Sequence, residues 1–546
     1  MGLERSGTEV FGMHEVLNQP PEFGGRDLWR DDVALREALV REGGDGFRSE
    51  VAAYGALAGG ELLALSHEAH RDRPRLRSHD AAGHRIDRVE FHPAYHRVME
   101  LAIAHGVAGL SWARPEPGAH VARAALAYLH YQAEPGSSCP LTMTHAAMPV
   151  LRQAPALREW ADKVAACRYD ARDVAIGDKP GVTLGMGMTE KQGGSDVRAN
   201  ETTATPSADE GAYTLVGHKW FMSAPMSDGF LVLAQAPGGL TCLLMPRRLP
   251  DGDRNAFTLM RLKDKLGDWS NASSEVEFQG AMAWRVGDEG RGVATILQMV
   301  MLTRLDCMLG SAGLMRMALS QALHHCRHRS AFGKRLADQP LMRNVLADIA
   351  IEAEAALALS MRVARAVDAA THDPREAAFA RIATAIGKYW ICRRAPAVVN
   401  EAQECLGGAG YIEESLLPRL YRQAPLNSIW EGSGNIQCLD VLRALSREPE
   451  TAEALRVEFD AANGLHPAFD ALVAGLPDML SAASEAGSRM LVERLALALQ
   501  ASVLLRAGSP IAEAFCRSRL GADHGLALGT LPTDLDDGSI MVRGAG

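Results

Sequence analysis

The sequence predicts a mainly helical chain with a β domain at its centre. Three observations predict it. Apolar residues recur at intervals of three and four in the first and last parts of the chain. Between them lie short β-rich runs separated by Gly, Pro, Asn and Asp. A length of 546 residues also exceeds one ordinary hydrophobic core. The expected order is an N-terminal helical domain over 1–180, an antiparallel β-barrel or sandwich over 181–290, a helical bundle over 291–445 and a further helical extension over 446–546.

From about Asp31 to Asp170 the periodicity is mostly helical, as in Val121, Ala124, Ala125, Tyr128 and Leu129. From about Gly181 to Gly290 the runs YTLVGHKWF, FLVLAQ, TCLLM and SEVEFQG read as strands. Helical spacing returns after Gly292, with Val293, Ile296, Leu297, Val300, Met301 and Leu305 on one stripe. Long helices follow through Leu346–Val367 and Ala377–Cys405, and the pair Gly407-Gly408 supplies a stop signal. Long helices on short links imply a bundle. Beyond Ser446 the chain is Ala/Leu-rich and helical, closing on a polar, Asp-containing tail.

Composition narrows the function class. Hydrophobic residues make up 47% and charged residues 23%, an ordinary globular mix. The apolar run Leu495–Leu505 is too short to span a bilayer and contains Gln500, so no membrane role is expected. The first residues, MGLERS, lack a secretory pattern and fit a permissive myristoylation pattern that arises by chance. Nine cysteines without a CxxC pair are expected to be reduced thiols in a cytoplasmic protein. No Cys/His group has ligand spacing, so no metal is expected. A formal net charge of −10 gives no global attraction to nucleic acid.

Three segments carry candidate chemistry. Met186 to Asp196 opens the β region, where Gly193 and Gly194 allow close backbone approach and Thr189 and Ser195 offer hydroxyls. A polar β-turn has the same composition. Gly217 to Ser223 reads as a strand on which alternation places Trp220 and Met222 on one face and Lys219, Phe221 and Ser223 on the other. A ring and a hydroxyl two residues apart suit a planar heterocycle, and they also suit plain sheet packing. In Asn427 to Gln437, Asn435 is placed to cap the following helix, with Gly432, Ser433 and Gly434 approaching its N-terminus. Glu431 beside Trp430 is expected to be partly desolvated, which raises its pKa toward that of a general base.

Taken together these motifs resemble the flavin-dependent acyl-CoA dehydrogenase superfamily, and most closely its AidB-type, alkylation-response branch. The flavin loop is matched by Thr189-Glu-Lys-Gln-Gly-Gly-Ser-Asp196, the GxKxW strand by Gly217 to Ser223 and the KLG motif by Lys265-Leu266-Gly267. RxxFG is matched by Arg329 to Gly333, LGGxGY by Leu406 to Tyr411 and the motif bearing the family's catalytic glutamate by Glu431 to Gln437. The branch likeness extends through HEVLNQP near Val16, SCPLTMTHAAMP near Cys139, MTEKQGGSDV and NSIWEGSGNI.

This resemblance implies the acyl-CoA dehydrogenase fold and an FAD held between the β domain and the bundle. Cofactor contacts would fall to Met186, Met188, Thr189, Gly194, Ser195, Phe221, Ser223, Trp430, Gly432, Ser433 and Asn435. Thr189 and Ser195 would bond the isoalloxazine edge, Phe221 would lie against the ring and Ser223 would sit near N5. Arg329, Phe332 and Gly407-Gly408 resemble positions that hold the adenosine half across a subunit interface, which AidB-type proteins arrange differently. Glu431 would be the base, with Thr303, Arg304 and Trp430 near the acyl pocket. Arg304 sits on an apolar stripe and needs a partner, for which Asp306 or a cofactor-side group is a candidate. Further implications are a short or branched acyl-CoA thioester as substrate, an acceptor such as an electron-transfer flavoprotein, and a homotetramer. Three departures stand out: Lys191 for the loop proline, Trp430 for the usual tyrosine and Trp269 where arginine is common.

Two readings follow from this resemblance: an FAD-dependent acyl-CoA oxidoreductase, or a flavin-containing stress protein that binds and shields DNA with vestigial catalysis. An oxidase is a third, differing in oxygen access. Residues 446–546 hold eight Arg, no Lys and fourteen Asp plus Glu, so the expectation is weak, salt-sensitive DNA binding at most, and not through this extension. The arginines at 71, 73, 75 and 77, or Arg327, Arg329, Lys334 and Arg335, are better candidates.

Overall fold

Alanine-rich helices pack closely because a methyl side chain lets two helix axes approach. Ala122, Ala124, Ala125 and Ala127 of the Ala119–Ala133 helix are all buried in the main core. The structure is a computed structural model and describes residues 16–521 and 525–546. The MGLERS segment and the first two residues of HEVLNQP lie outside the described residues.

The N-terminal region is helical, with one exception to its sequence pattern. Strands β1 (Arg75–His79) and β2 (Arg85–Glu90) form an antiparallel hairpin. Their arginines alternate with Leu76, Ile86 and Val89, so a period-two pattern lies hidden in a basic run. Asp80 closes the turn by accepting the amides of Ala82 and His84.

Seven strands build the β domain: β3 (Leu184–Gly187), β4 (Thr203–Pro206), β5 (Ala212–Ser223), β6 (Gly229–Ala236), β7 (Gly239–Pro246), β8 (Phe257–Leu262) and β9 (Ser273–Val286). The order β6-β4-β5-β9-β7 closes because β7 also pairs with β6, giving a barrel flanked by β3 and β8. Most pairings are antiparallel, but β3 and β4 each run parallel to β6.

The helices Gly292–His328, Pro340–Ala369 and Pro374–Cys405 form the bundle. The first is long and apolar enough to cross a membrane, yet 72% of its most apolar window is buried in the protein. The C-terminal helices Pro449–Asp460, Ser488–Arg506 and Asp537–Ala545 contribute Phe459, Leu495, Leu499 and Ile540 to the same core as the bundle. Ion pairs join the C-terminal region to the rest of the chain: Glu458 meets Arg362, Arg519 meets Asp348 and Glu352, and Arg543 meets Glu37 and Glu354.

Candidate active site

The first two motifs are fastened to each other by a buried ion pair. Lys219 on β5 donates to Glu190 at 2.6 Å, and both side chains are fully buried. Lys219 also donates to the Leu233 carbonyl, while Glu190 accepts the amides of Glu201 and Thr202. Burial alone would raise the Glu190 pKa, but Lys219 and these donors bring it down to about 2. The ion pair, together with a Glu190–Gly193 bridge, fixes the loop carrying Thr189, Gly194 and Ser195 against β5.

Here the expected alternation fails. The β5–β9 register shifts between Lys219 and Met222, and this bulge turns both residues inward. Phe221 instead emerges on the outer surface, 50% exposed, with the Lys263 ammonium 4.4 Å from its ring centre. Ser223 remains half-buried and shares a hydrogen bond with Ser273. Thr189 is half-buried, while Gly194 and Ser195 are exposed beyond it.

The third motif meets this surface from the bundle side. Met186, Met188 and Trp430 pack on one apolar cluster with Cys139, Ile296, Met299 and Leu302. The Trp430 indole donates to Asn427, itself buried and bonded to Ser311. Glu431 is held in the left-handed region at φ 58°, unusual for a residue with a side chain. Gly432 follows at φ 89°, where a side chain would meet Gln437 at 2.7 Å.

The Glu431 carboxylate accepts a 2.5 Å hydrogen bond from Thr303. Burial raises its pKa; the Thr303 bond and the charges of Lys388 and Arg304 pull it partly back. The Glu431 carbonyl accepts from Arg304 and Gln437, and Lys388 donates to the carbonyls of Trp430 and Gly432.

Two expectations change. Arg304 pairs with Asp440, not Asp306, because Asp306 is taken by Arg123 and Thr142. Asn435 does not cap the helix Gly434–Arg447: Ser433 holds the cap position without a side-chain bond, and Asn435 accepts from Arg489. Trp269 has the guanidinium groups of Arg73 and Arg422 over its ring and stacks on His70.

Arg329 to Gly333 and Gly407 to Tyr411 lie apart from this cluster, at the surface, with Phe332 100% and Tyr411 83% exposed. The expectations from sequence assign no role to Lys388, do not name Asn427 as the partner of the Trp430 indole and do not pair Glu190 with Lys219. A lysine among Ile386, Gly387, Tyr389 and Trp390 was the available signal for the first. The exposed Phe221 ring, the hydroxyls of Thr189, Ser195 and Ser223 and the small Gly432–Gly434 loop suit a planar, hydrogen-bonding cofactor such as a flavin.

Comparison with known proteins agrees with the geometry. Residues 18–171 match the adaptive response protein AidB N-terminal domain, 185–281 the acyl-CoA dehydrogenase middle domain and 290–446 the acyl-CoA dehydrogenase C-terminal domain. The chain is 47% identical to AidB of Escherichia coli strain K12, over 94% of its own length and 96% of that protein. It is similar to the crystal structure of Caenorhabditis elegans ACDH-11 in complex with C11-CoA, at TM-score 0.85 and 26% identity, covering 99% of this chain and 93% of that one. An acyl-CoA dehydrogenase from Bacillus anthracis complexed with FAD shares the fold at TM-score 0.61 and 18% identity, covering 79% and 78% of the two chains.

Proposed function

We propose, for a chain that belongs to the acyl-CoA dehydrogenase family in its AidB branch, that Glu431 removes the Cα proton of an acyl-CoA thioester. The observation that carries this reading is a desolvated carboxylate held in a strained loop beside the cluster that joins the β domain to the bundle. The protein is an FAD-dependent oxidoreductase of the acyl-CoA dehydrogenase type. Bound FAD would supply the hydride acceptor for Cβ, so the Cα proton would pass to Glu431 and the thioester would leave in its α,β-unsaturated form.

The chain's own part is binding and proton handling. Phe221, Ser223, Thr189 and Ser195 would hold the ring, with Met186, Met188 and Trp430 forming the apolar wall. Thr303 aims the carboxylate, and the apolar wall keeps water from the base, so that its basicity is spent on the substrate. Trp430 is larger than the tyrosine usual in the family, which favours a short or branched acyl group. The C11-CoA held by the Caenorhabditis elegans relative supports an acyl-CoA ligand and marks longer chains as the alternative to test. Exposure of Phe332, Tyr411 and their motifs supports assembly through that surface, proposed as a homotetramer. An electron-transfer flavoprotein is the proposed acceptor.

Anaerobic titration of the purified, FAD-loaded protein with acyl-CoAs of graded length tests the reading. Bleaching of the visible flavin spectrum by one class of thioester is expected. No bleaching by any of them would leave the protein without this activity.

A further inference from the structure

Lys388 is 1% exposed, in the middle of the Pro374–Cys405 helix. Among the described residues its hydrogen-bond partners are two backbone carbonyls, Trp430 at 2.7 Å and Gly432 at 2.5 Å. Neither is a carboxylate. Burying an ammonium ion without a directly bonded counter-ion costs several kcal/mol, so the site has to return something for it. What the two carbonyls share is the residue between them. Glu431 occupies left-handed backbone, which a residue with a side chain keeps only when its surroundings enforce it.

We propose that Lys388 is a positioning residue for the base: it clamps the peptide on both sides of Glu431 and thereby aims that carboxylate at the cleft. Arg304 and Gln437 grip the carbonyl of Glu431 itself, so three side chains from three helices fix three successive carbonyls. Lys388 also places a positive charge near the carboxylate that favours its ionised form. The other titratable groups near Glu431 are Arg304 and Cys307 on the Gly292–His328 helix and Cys139 on the Ser138–Ala146 helix; Cys392, on the same helix as Lys388, lies near that ammonium, and Asp440 on the Gly434–Arg447 helix pairs with Arg304.

The inference rests on Glu431 being the base, so its test has one arm that does not. In the full-length, FAD-loaded protein, Lys388→Met is expected to speed hydrogen exchange of amides 429–434 by at least ~10-fold, as a loop released from its tertiary contacts does. It is also expected to slow flavin reduction by ~100-fold, the scale of a displaced catalytic group, with little change in substrate affinity. The pH midpoint of reduction should move upward, because a charge favouring the carboxylate is gone. Lys388→Arg, which keeps the charge and donors, should recover most of the exchange protection and rate. If Lys388→Met does not fold, Lys388→Gln is compared instead. Unchanged exchange with an unchanged rate and pH midpoint per bound flavin would overturn the proposal, even if the variant melted earlier. If the wild type is reduced by no thioester, the dehydrogenase reading fails while the exchange comparison still decides the clamp.

Discussion

Glu431 carries two expectations of opposite kind. Replacing it with Gln keeps the Thr303 contact and the loop but removes the base, so flavin reduction should fall by ~10²–10⁴-fold with FAD still bound. Burial raises the pKa of this carboxyl, so the folded state favours its protonated form. Its contribution to stability is therefore full below the ordinary carboxylate range and is lost as pH rises through the raised folded value. At neutral pH Glu431→Gln should melt no earlier than wild type, and any gain should vanish in acid. Reduction by substrate needs the carboxylate, so its rate should rise with pH through that same raised value. Thr303→Val removes a bond that favours the ionised form and should move the midpoint further up, measured by stopped-flow reduction across a pH series. Glu431 was legible from EGSGNIQ and its neighbour Trp430. Its clamp was not, because Lys388 is 43 residues away in sequence and meets it only once the bundle has formed.

At the scale of elements, the Glu190–Lys219 pair joins loop to strand. Breaking a buried pair on one side leaves an uncompensated charge, so Glu190→Gln or Lys219→Met alone should cost ~3–5 kcal/mol in denaturant unfolding and weaken FAD retention. The double change should cost less than the sum of the two, and strict additivity would mean the residues act independently. The motifs holding both residues were readable, but the inward turn of Lys219 was not: strict alternation puts it on the same face as Phe221, and the bulge that separates the two depends on the register with β9. The hairpin β1–β2 was missed for a related reason. Its arginines masked a strand pattern, and in the fold they are answered locally, Arg73 by Asp264, Arg75 by Asp72 and Arg77 by Glu90.

Across the whole molecule, the order of helical, β, bundle and extension regions could be read from periodicity, while the continuity of the core could not. Leu495 and Phe459 of the extension share one buried cluster with Leu39, Leu126 and Leu357 from elsewhere in the chain. A chain ended near Arg447 would uncover that surface and take Glu458 from Arg362, Arg519 from Asp348 and Glu352, and Arg543 from Glu354, and it should aggregate or fail to melt cooperatively. The extension's arginines at 456, 506, 517, 519 and 543 are paired with carboxylates, so DNA binding through the extension is not expected, and anisotropy on the full-length protein across a salt series should show weak, salt-sensitive binding at most. If Glu431 is the base, this fold holds a desolvated glutamate where a thioester meets a flavin. Anaerobic stopped-flow mixing of FAD-loaded wild type and Glu431→Gln with a graded panel of acyl-CoAs tests it most directly. Rapid bleaching in the wild type by at least one thioester, with near-complete loss in the variant, is the predicted result; equal bleaching in both, or none in either, would contradict it.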